Sequence, residues 1–273
     1  MIARLSLLLC LACTATVRAD VVLTLTPNVQ YGVKSNEVVF TGTLSNSNLT
    51  GDIFLNDIQF SFTGVATNYL TAISNAYFAN VPGILSAGET YSDIVFAVAL
   101  DSATPAGDYF GTVTIVGGTN IFAVDTLASQ PFEMSSSDTP FGAWQLLEFG
   151  TDATNSVVSG DFADPDFDGI VNLLEYALHL DPNALSVTGL PIPQLDPTCG
   201  CLTLTYTRIL DATDLSYMVE GADNPGGPWN SADITESIID AGTLTLTIRA
   251  SDAANPFATT GKRFLHLKVT RSP

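Results

Sequence analysis

Residues 164–175 are the part of this sequence best suited to chemistry, because oxygen-bearing side chains recur in them at short intervals. Counted from Asp164, such side chains stand at positions 1, 3, 5, 9 and 12 of this twelve-residue segment, which we term the acidic loop. Gly169 occupies position 6, where the chain has to turn sharply. This spacing is the calcium-loop pattern of EF-hand type, and it predicts that the acidic loop binds Ca²⁺.

The pattern also predicts what each ligand offers to the ion. Three aspartates give carboxylate oxygens, one residue gives its backbone carbonyl, an asparagine acts directly or through a water, and a glutamate binds through both oxygens. In this order the residues are Asp164, Asp166, Asp168, Ile170, Asn172 and Glu175. Without a cation the carboxylates would repel one another, so ion binding and local order should be coupled. The alternative is a solvated acidic turn in which Asp168 or Asn172 caps the following helix.

Two features distinguish the acidic loop from the usual EF-hand. Phe167 occupies position 4, where a small or flexible residue is more comfortable. The apolar pattern of the preceding helix ends near Phe149, well before Asp164, and the sequence has no second loop of this kind. We therefore expect a loop that leads into one helix.

The charge of the chain limits its partners. The sequence has 9 Lys and Arg against 28 Asp and Glu, a formal net charge of −19, and no basic residue lies between Lys34 and Arg208. Such a surface repels phosphate backbones, so we expect no nucleic-acid partner, and it also disfavours anionic membranes. Cations are the natural partners. The alternative is that the acidity only keeps a secreted protein soluble.

Residues 1–19 have the features of a secretory signal peptide. Arg4 supplies a positive charge, residues 5–15 form a short apolar core, and Ala19 is a suitable small residue for cleavage before Asp20. The apolar run is too short to span a bilayer, and no later stretch approaches 18 apolar residues. The sequence therefore predicts a secreted or cell-surface protein without a transmembrane segment.

Hydrophobic residues alternate with polar ones on both sides of the acidic loop. Residues 20–135 contain about seven such strands separated by turn signals, and we expect Tyr109, Val113 and Ile115 on one buried face. The alternation returns in residues 186–273. The predicted fold is mainly β, with two Ig-like β-sandwich domains (20–135 and 186–273) joined by a helix–calcium loop–helix module (136–185).

Helix signals bracket the acidic loop. Asp138 or Thr139 can cap a first helix, with Pro140 in its first turn and Gly150 just past its end. A second helix is predicted over residues 172–180, because the apolar spacing changes to a helical period and Asp181-Pro182 then stops it.

Two cysteines remain after the predicted cleavage, Cys199 and Cys201. Export permits a disulfide, but one intervening residue makes it awkward in an extended strand unless Gly200 provides a tight bend. The sequence does not decide between a disulfide and two free thiols.

Residues 139–183 resemble a calcium module of secreted bacterial proteins. The resemblance rests on Trp144, Phe149-Gly150, the Asp-Pro-Asp-Phe-Asp-Gly run, Asn172-Leu-Leu-Glu175 and Asp181-Pro182. This module is similar to the thrombospondin type 3 and dockerin repeats. The resemblance implies that Asp164, Asp166, Asp168, Asn172 and Glu175 bind Ca²⁺ and that the ion stiffens a linker. A dockerin needs two repeats, so the resemblance does not imply cohesin docking. The segment from Leu204 to Trp229 resembles the β domain that often follows this module.

No catalytic motif accompanies the acidic loop: the sequence has two histidines, His179 and His266, and no nucleophile elbow, HExxH or phosphate loop. We therefore predict a non-catalytic, exported interaction or scaffold protein, with a surface polysaccharide or another extracellular protein as partner. One alternative is a glycan-binding or adhesive module with a row of exposed aromatic residues on one sheet face, from Tyr69, Tyr77, Phe78 and Tyr91. The other is a carboxylate-based hydrolase, which would need a deep acidic cleft.

Overall fold

A computed structural model describes residues 21–63, 67–256 and 261–272, and its chain is mainly β, as predicted. The predicted signal peptide lies outside the described residues. The strands are β1 (Val21–Leu25), β2 (Val29–Val33), β3 (Glu37–Asn46), β4 (Ile53–Thr63), β5 (Leu70–Ile73), β6 (Ile84–Leu85), β7 (Thr90–Leu100), β8 (Gly107–Gly118), β9 (Asp125–Ser137), β10 (Ile192–Asp196), β11 (Cys201–Ile209), β12 (Leu215–Ala222), β13 (Thr235–Ala241), β14 (Thr245–Ser251) and β15 (Phe264–Arg271). The α-helices of these residues are α1 (Ser74–Asn80), α2 (Pro140–Phe149) and α3 (Asn172–Leu178).

Strands β1 to β9 form two sheets around one hydrophobic core. Their orders are β1-β3-β7-β5 and β2-β9-β8-β4-β6. Phe40 and Phe96 stack at 4.6 Å between ring centroids, and Phe132 of the other sheet lies 5.0 Å from Phe96. The burial predicted for Tyr109, Val113 and Ile115 is confirmed. The pairing of β2 with β9 is parallel, and it places β2 beside the point where the chain enters α2.

Strands β10 to β15 form a four-stranded sheet, β10-β11-β14-β13, and a two-stranded sheet, β12-β15. Tyr206, Val219 and Ile248 are the centre of their common hydrophobic cluster. Leu178 of α3 belongs to the same cluster, and the hydroxyl of Tyr217 donates a hydrogen bond to the carbonyl of Ala177 at 2.8 Å. Helix α3 therefore helps to close the core of the C-terminal strands.

Helix α2 has the predicted ends. The side chain of Thr139 accepts a hydrogen bond from the backbone N–H of Gly142, Pro140 is the first helical residue, and Gly150 is the C-cap. Helix α3 ends at Leu178, so the predicted end at residue 180 is wrong. His179 adopts a left-handed conformation (φ 59°), which stops the helix one turn before Pro182.

The four aromatic residues considered for a glycan-binding face do not share a sheet face. Tyr77 and Phe78 belong to helix α1, and Tyr77 is buried in the core. The hydroxyl of Tyr91 donates to the carbonyl of Ile94 at 2.8 Å. The predicted aromatic row is therefore wrong.

Cys199 and Cys201 are joined by a disulfide, with a Cα–Cα distance of 5.2 Å. Gly200 has φ 64° and supplies the bend that the sequence required. Among the residues that the structure describes, no helix is both long enough and apolar enough to cross a bilayer.

Candidate metal centre

The acidic loop brings three aspartate side chains together. One carboxylate oxygen each of Asp164, Asp166 and Asp168 lies within 4.8 Å of the other two, and all three residues are partly buried. Gly169 has φ 91°, a left-handed conformation that glycine adopts without steric cost, and it makes the sharp turn predicted at position 6. The loop therefore concentrates negative charge in a small volume.

Asp164 and Asp166 each use one carboxylate oxygen to hold the turn. Oδ2 of Asp164 accepts the backbone N–H of Gly169 at 3.0 Å, and Oδ1 of Asp166 accepts that of Asp168 at 3.2 Å. The other oxygens, Oδ1 of Asp164 and Oδ2 of Asp166, are buried and have no hydrogen-bond partner. One oxygen of each pair is therefore left for a ligand inside the loop.

Both carboxylate oxygens of Asp168 accept hydrogen bonds from backbone N–H groups. Oδ1 accepts the N–H of Ile170 at 2.7 Å, and Oδ2 accepts the N–H of Ser186 at 2.8 Å. Each carboxylate oxygen has further lone pairs, so these bonds still leave Asp168 able to face a cation. The bond from Ser186 ties the acidic loop to the segment after α3, a contact that the loop spacing does not predict. The carbonyl of Ile170 as a ligand stays a prediction.

Asn172 and Glu175, in the first turn of α3, are both fully buried. The amide nitrogen of Asn172 donates to the carbonyls of Val158 and Gly160 at 2.8 and 3.0 Å, which fixes the orientation of the side chain. Its Oδ1 has no hydrogen-bond partner, and neither oxygen of Glu175 has one. A buried, unpaired carboxylate is costly, so Glu175 requires either a proton or a cation.

The electrostatics of Glu175 agree with this requirement. Burial, followed by the charges of Asp166, Asp168 and Asp164, raises the pKa of Glu175 to about 8. Burial also raises the pKa of Asp166, and a backbone hydrogen bond from Asp168 opposes that rise. The charges of the three aspartates thus reach Glu175, although its carboxylate does not belong to the group of oxygens that lie within 4.8 Å of one another.

The donor atoms fit calcium. Seven buried side-chain N or O atoms of the described residues have no partner, and five of the seven belong to Asp164, Asp166, Asn172 and Glu175. All five are oxygens, the donor that Ca²⁺ prefers, and no thiol or imidazole of the described residues joins the group. Since buried polar atoms are nearly always paired, their concentration in this loop favours a bound hard cation.

Phe167 is the unfavourable residue of the loop. It has φ 63°, a left-handed conformation that is rare for bulky residues, and its side chain is 89% exposed. The sequence-based expectation that position 4 suits a small residue agrees with this backbone. The side chain gains little burial to offset the strain.

Contacts distant in the sequence support the loop. Gln145 of α2 donates to the carbonyl of Ser159 at 2.6 Å, next to the carbonyls that hold Asn172. Arg271 of β15 pairs with Asp161, whose own carbonyl accepts the N–H of Leu173 at 3.0 Å. Sequence reasoning missed these residues, and the only signal was the scarcity of basic residues, which makes each arginine informative.

A cleft of about 560 Å³ lies where α2 meets β2, the end of α3 and the turn between β11 and β12. Its lining includes Trp144 and Glu148 of α2, Tyr31 of β2 and Asp181 beyond α3, and it includes none of the predicted calcium ligands. The volume lies in the range of small-molecule sites.

Comparisons with known proteins add little to this geometry. No protein-family model matches the chain, and no curated protein matches it. Similar solved structures include WR4, a C. elegans MSP family member, with 6% identity, a TM-score of 0.26 and coverage of 42% of this chain and 97% of that chain. They also include the periplasmic chaperone SfaE, with 8% identity, a TM-score of 0.25 and coverage of 42% of this chain and 56% of that chain. Such low scores carry no argument about the site.

Proposed function

We propose that this chain is an exported, non-catalytic modular protein whose acidic loop binds one structural Ca²⁺. The observation that carries the proposal is the set of five buried, unpartnered oxygens in the predicted ligand residues. A divalent cation would satisfy these oxygens and remove the repulsion among four carboxylates. The predicted setting is the cell surface or the extracellular space.

The contacts around the loop indicate what the ion would stabilise. Helix α2 follows β9 after a short link, and Gln145 connects it to the segment that holds Asn172. Helix α3 packs into the C-terminal core through Leu178. An ion held between these elements would fix two Ig-like β-sandwich domains in one relative arrangement, which suits a scaffold that presents a surface to a polysaccharide or another extracellular protein.

Calorimetric titration with Ca²⁺ tests the proposal. We expect saturable binding of one ion per chain, and we expect Asp168→Ala to weaken it by at least about tenfold because a carboxylate ligand is lost. Asp152→Ala is the matched control, since it removes an exposed charge outside the loop. Absence of binding heat at millimolar Ca²⁺ would end the proposal.

A carboxylate-based hydrolase is the second candidate, and one observation favours it. Burial, and then the charge of Asp181, raises the pKa of Glu148 in the cleft, as a general acid requires. Incubation with a panel of nitrophenyl glycosides, with Glu148→Gln as the paired variant, tests this candidate. Release of nitrophenol by the native protein and not by the variant would support it.

A further inference from the structure

One stripe of helix α2 lines the cleft, and only part of that stripe packs against neighbouring side chains. Ala143, Trp144, Leu147 and Glu148 are spaced by three and four residues, so they form one stripe, and all four line the cleft. A stripe with Trp and Leu normally faces a core, yet the side chain of Leu147 is 60% exposed. Trp144 is partly buried, because its ring packs against Phe141 and Tyr176 at 5.2 and 5.4 Å between centroids. The stripe therefore gives the cleft an exposed Leu147 and a Trp144 ring that its aromatic neighbours hold in place.

The cleft lining carries negative charge without lysine or arginine side chains to balance it. Its carboxylates come from four places in the chain: Glu37, Glu148, Asp181 and Asp211. The lining contains no Lys or Arg, and none of these carboxylates takes part in an ion pair among the described residues. Lys34, near the cleft in sequence, is held by Asp138 at 2.8 Å. His179 also lines the cleft and is exposed.

Glu148 is the carboxylate of the lining with the strongest need for a partner. It is partly buried, whereas Glu37, Asp181 and Asp211 are exposed to water. Burial, followed by the charge of Asp181, raises its pKa, so the two carboxylates lie close enough to repel each other. A cationic ligand between them would relieve that repulsion. Trp144 stands one helical turn before Glu148 and adds an aromatic surface to the same wall.

We propose that the cleft binds a compact organic ammonium ligand. The ammonium group lies against Glu148 and Asp181, and the hydrocarbon or sugar-ring part lies against Trp144. Carboxylates and aromatic rings are the two groups that recognise alkylammonium ions, by charge-assisted hydrogen bonds and by cation–π attraction. A polyamine and an oligomer of an amino sugar share this chemistry. The proposal does not depend on calcium binding by the acidic loop.

Tryptophan fluorescence provides the test, because the chain has two tryptophans. Trp229 stacks on His266 at 4.0 Å, so Trp229→Phe keeps a ring there and leaves Trp144 as the sole reporter. This variant is titrated with spermidine, with a glucosamine trimer and with the neutral N-acetylated trimer, both in millimolar Ca²⁺ and after chelation. We expect a saturable change with at least one of the two ammonium ligands and a much weaker response to the neutral trimer. The arm that saturates identifies the source.

Charge-neutral substitutions then locate the site. Glu148→Gln, or Asp181→Asn if the first variant does not fold, should weaken binding by about tenfold or more, the loss of one partly desolvated charge pair. Asp240→Asn, on exposed strand β13, removes the same charge elsewhere and should leave the affinity unchanged. The proposal fails if neither ammonium ligand saturates, if the neutral trimer binds equally well, or if Glu148→Gln behaves like Asp240→Asn. Because calcium binding is measured separately by calorimetry, its failure would leave this result intact.

Discussion

Arg271 and Asp161 lie 110 residues apart in the chain and meet through a two-pronged ion pair. Nη2 of Arg271 contacts Oδ1 of Asp161 at 2.8 Å, and Nε contacts Oδ2 at 3.2 Å. The same guanidinium lies 4.4 Å from the ring of Phe141 in α2. The pair thus joins the last strand, helix α2 and the segment before the acidic loop. Because the carbonyl of Asp161 accepts the N–H of Leu173, the pair also supports the start of α3.

Replacement of Arg271 should therefore affect both stability and calcium affinity. We expect Arg271→Ala to lower the free energy of unfolding by about 1–3 kcal/mol, with a smaller loss for Arg271→Lys, which cannot make the two-pronged contact. Arg249, paired with Asp196 at 2.6 Å on another sheet edge, provides the control. Arg249→Ala should reduce stability without a change in the calcium Kd, whereas Arg271→Ala should raise that Kd several-fold. Equal Kd values for the two variants would show that the pair does not support the loop.

Glu175→Gln should stabilise the calcium-free protein and weaken its binding of calcium. The substitution keeps the shape of a fully buried side chain but removes its charge. Without calcium it should raise the melting temperature, because the repulsion with the three aspartates is lost. It should also weaken calcium binding by about 100-fold, since a two-oxygen carboxylate ligand is replaced by an amide. Thermal unfolding with and without chelator measures both changes. Glu133→Gln on β9 is the control and should alter neither.

The raised pKa of Glu175 predicts a pH dependence for the calcium-free protein. An acid whose pKa is near 4.5 when unfolded and about 8 when folded binds its proton more tightly in the folded state. The contribution of Glu175 to the stability of the calcium-free protein should therefore be greatest below pH 4.5, and it should be lost as the pH rises to 8. Calcium displaces the proton, so binding near neutral pH should release up to about one proton per ion. Calorimetry in buffers of different ionisation enthalpy measures that release, and no release would contradict the pKa assigned to Glu175.

Phe167→Gly should strengthen the loop. The native residue holds a left-handed φ of 63°, which costs a bulky residue about 1–2 kcal/mol, and glycine removes that cost at some loss of chain entropy. We expect a net gain of about 0.5–1 kcal/mol, seen as a higher melting temperature in calcium and a several-fold lower Kd. Phe162 is similarly exposed but lies outside the left-handed region, so Phe162→Gly should give no gain. Weaker binding by Phe167→Gly would mean that the aromatic ring itself supports the loop.

The parts of the structure that the sequence predicted are those set by local spacing. The caps of α2, the turn at Gly169 and the grouping of Asp164, Asp166 and Asp168 all depend on residues within a few positions of each other. Chemistry at this range is fixed by backbone geometry, so a pattern in the sequence is enough.

The remaining features depend on pairings between distant segments. The parallel pairing of β2 with β9, the bond from Ser186 to Asp168 and the ion pair of Arg271 with Asp161 have no local signature. The cleft is a further case, because its walls come from four separate regions of the chain. Helix α3 also ends earlier than the sequence predicts, because the left-handed His179 stops it before Pro182.

Thermal unfolding of the native chain in excess chelator and in millimolar Ca²⁺ tests the central claim most directly. Binding to the folded state alone raises stability with ligand concentration, by about 2.7 kcal/mol at one hundred times the Kd. We predict a melting temperature several degrees higher in Ca²⁺, together with slower proteolysis of residues 150–186. Identical melting temperatures and identical proteolysis in the two conditions would contradict a structural calcium ion in the acidic loop.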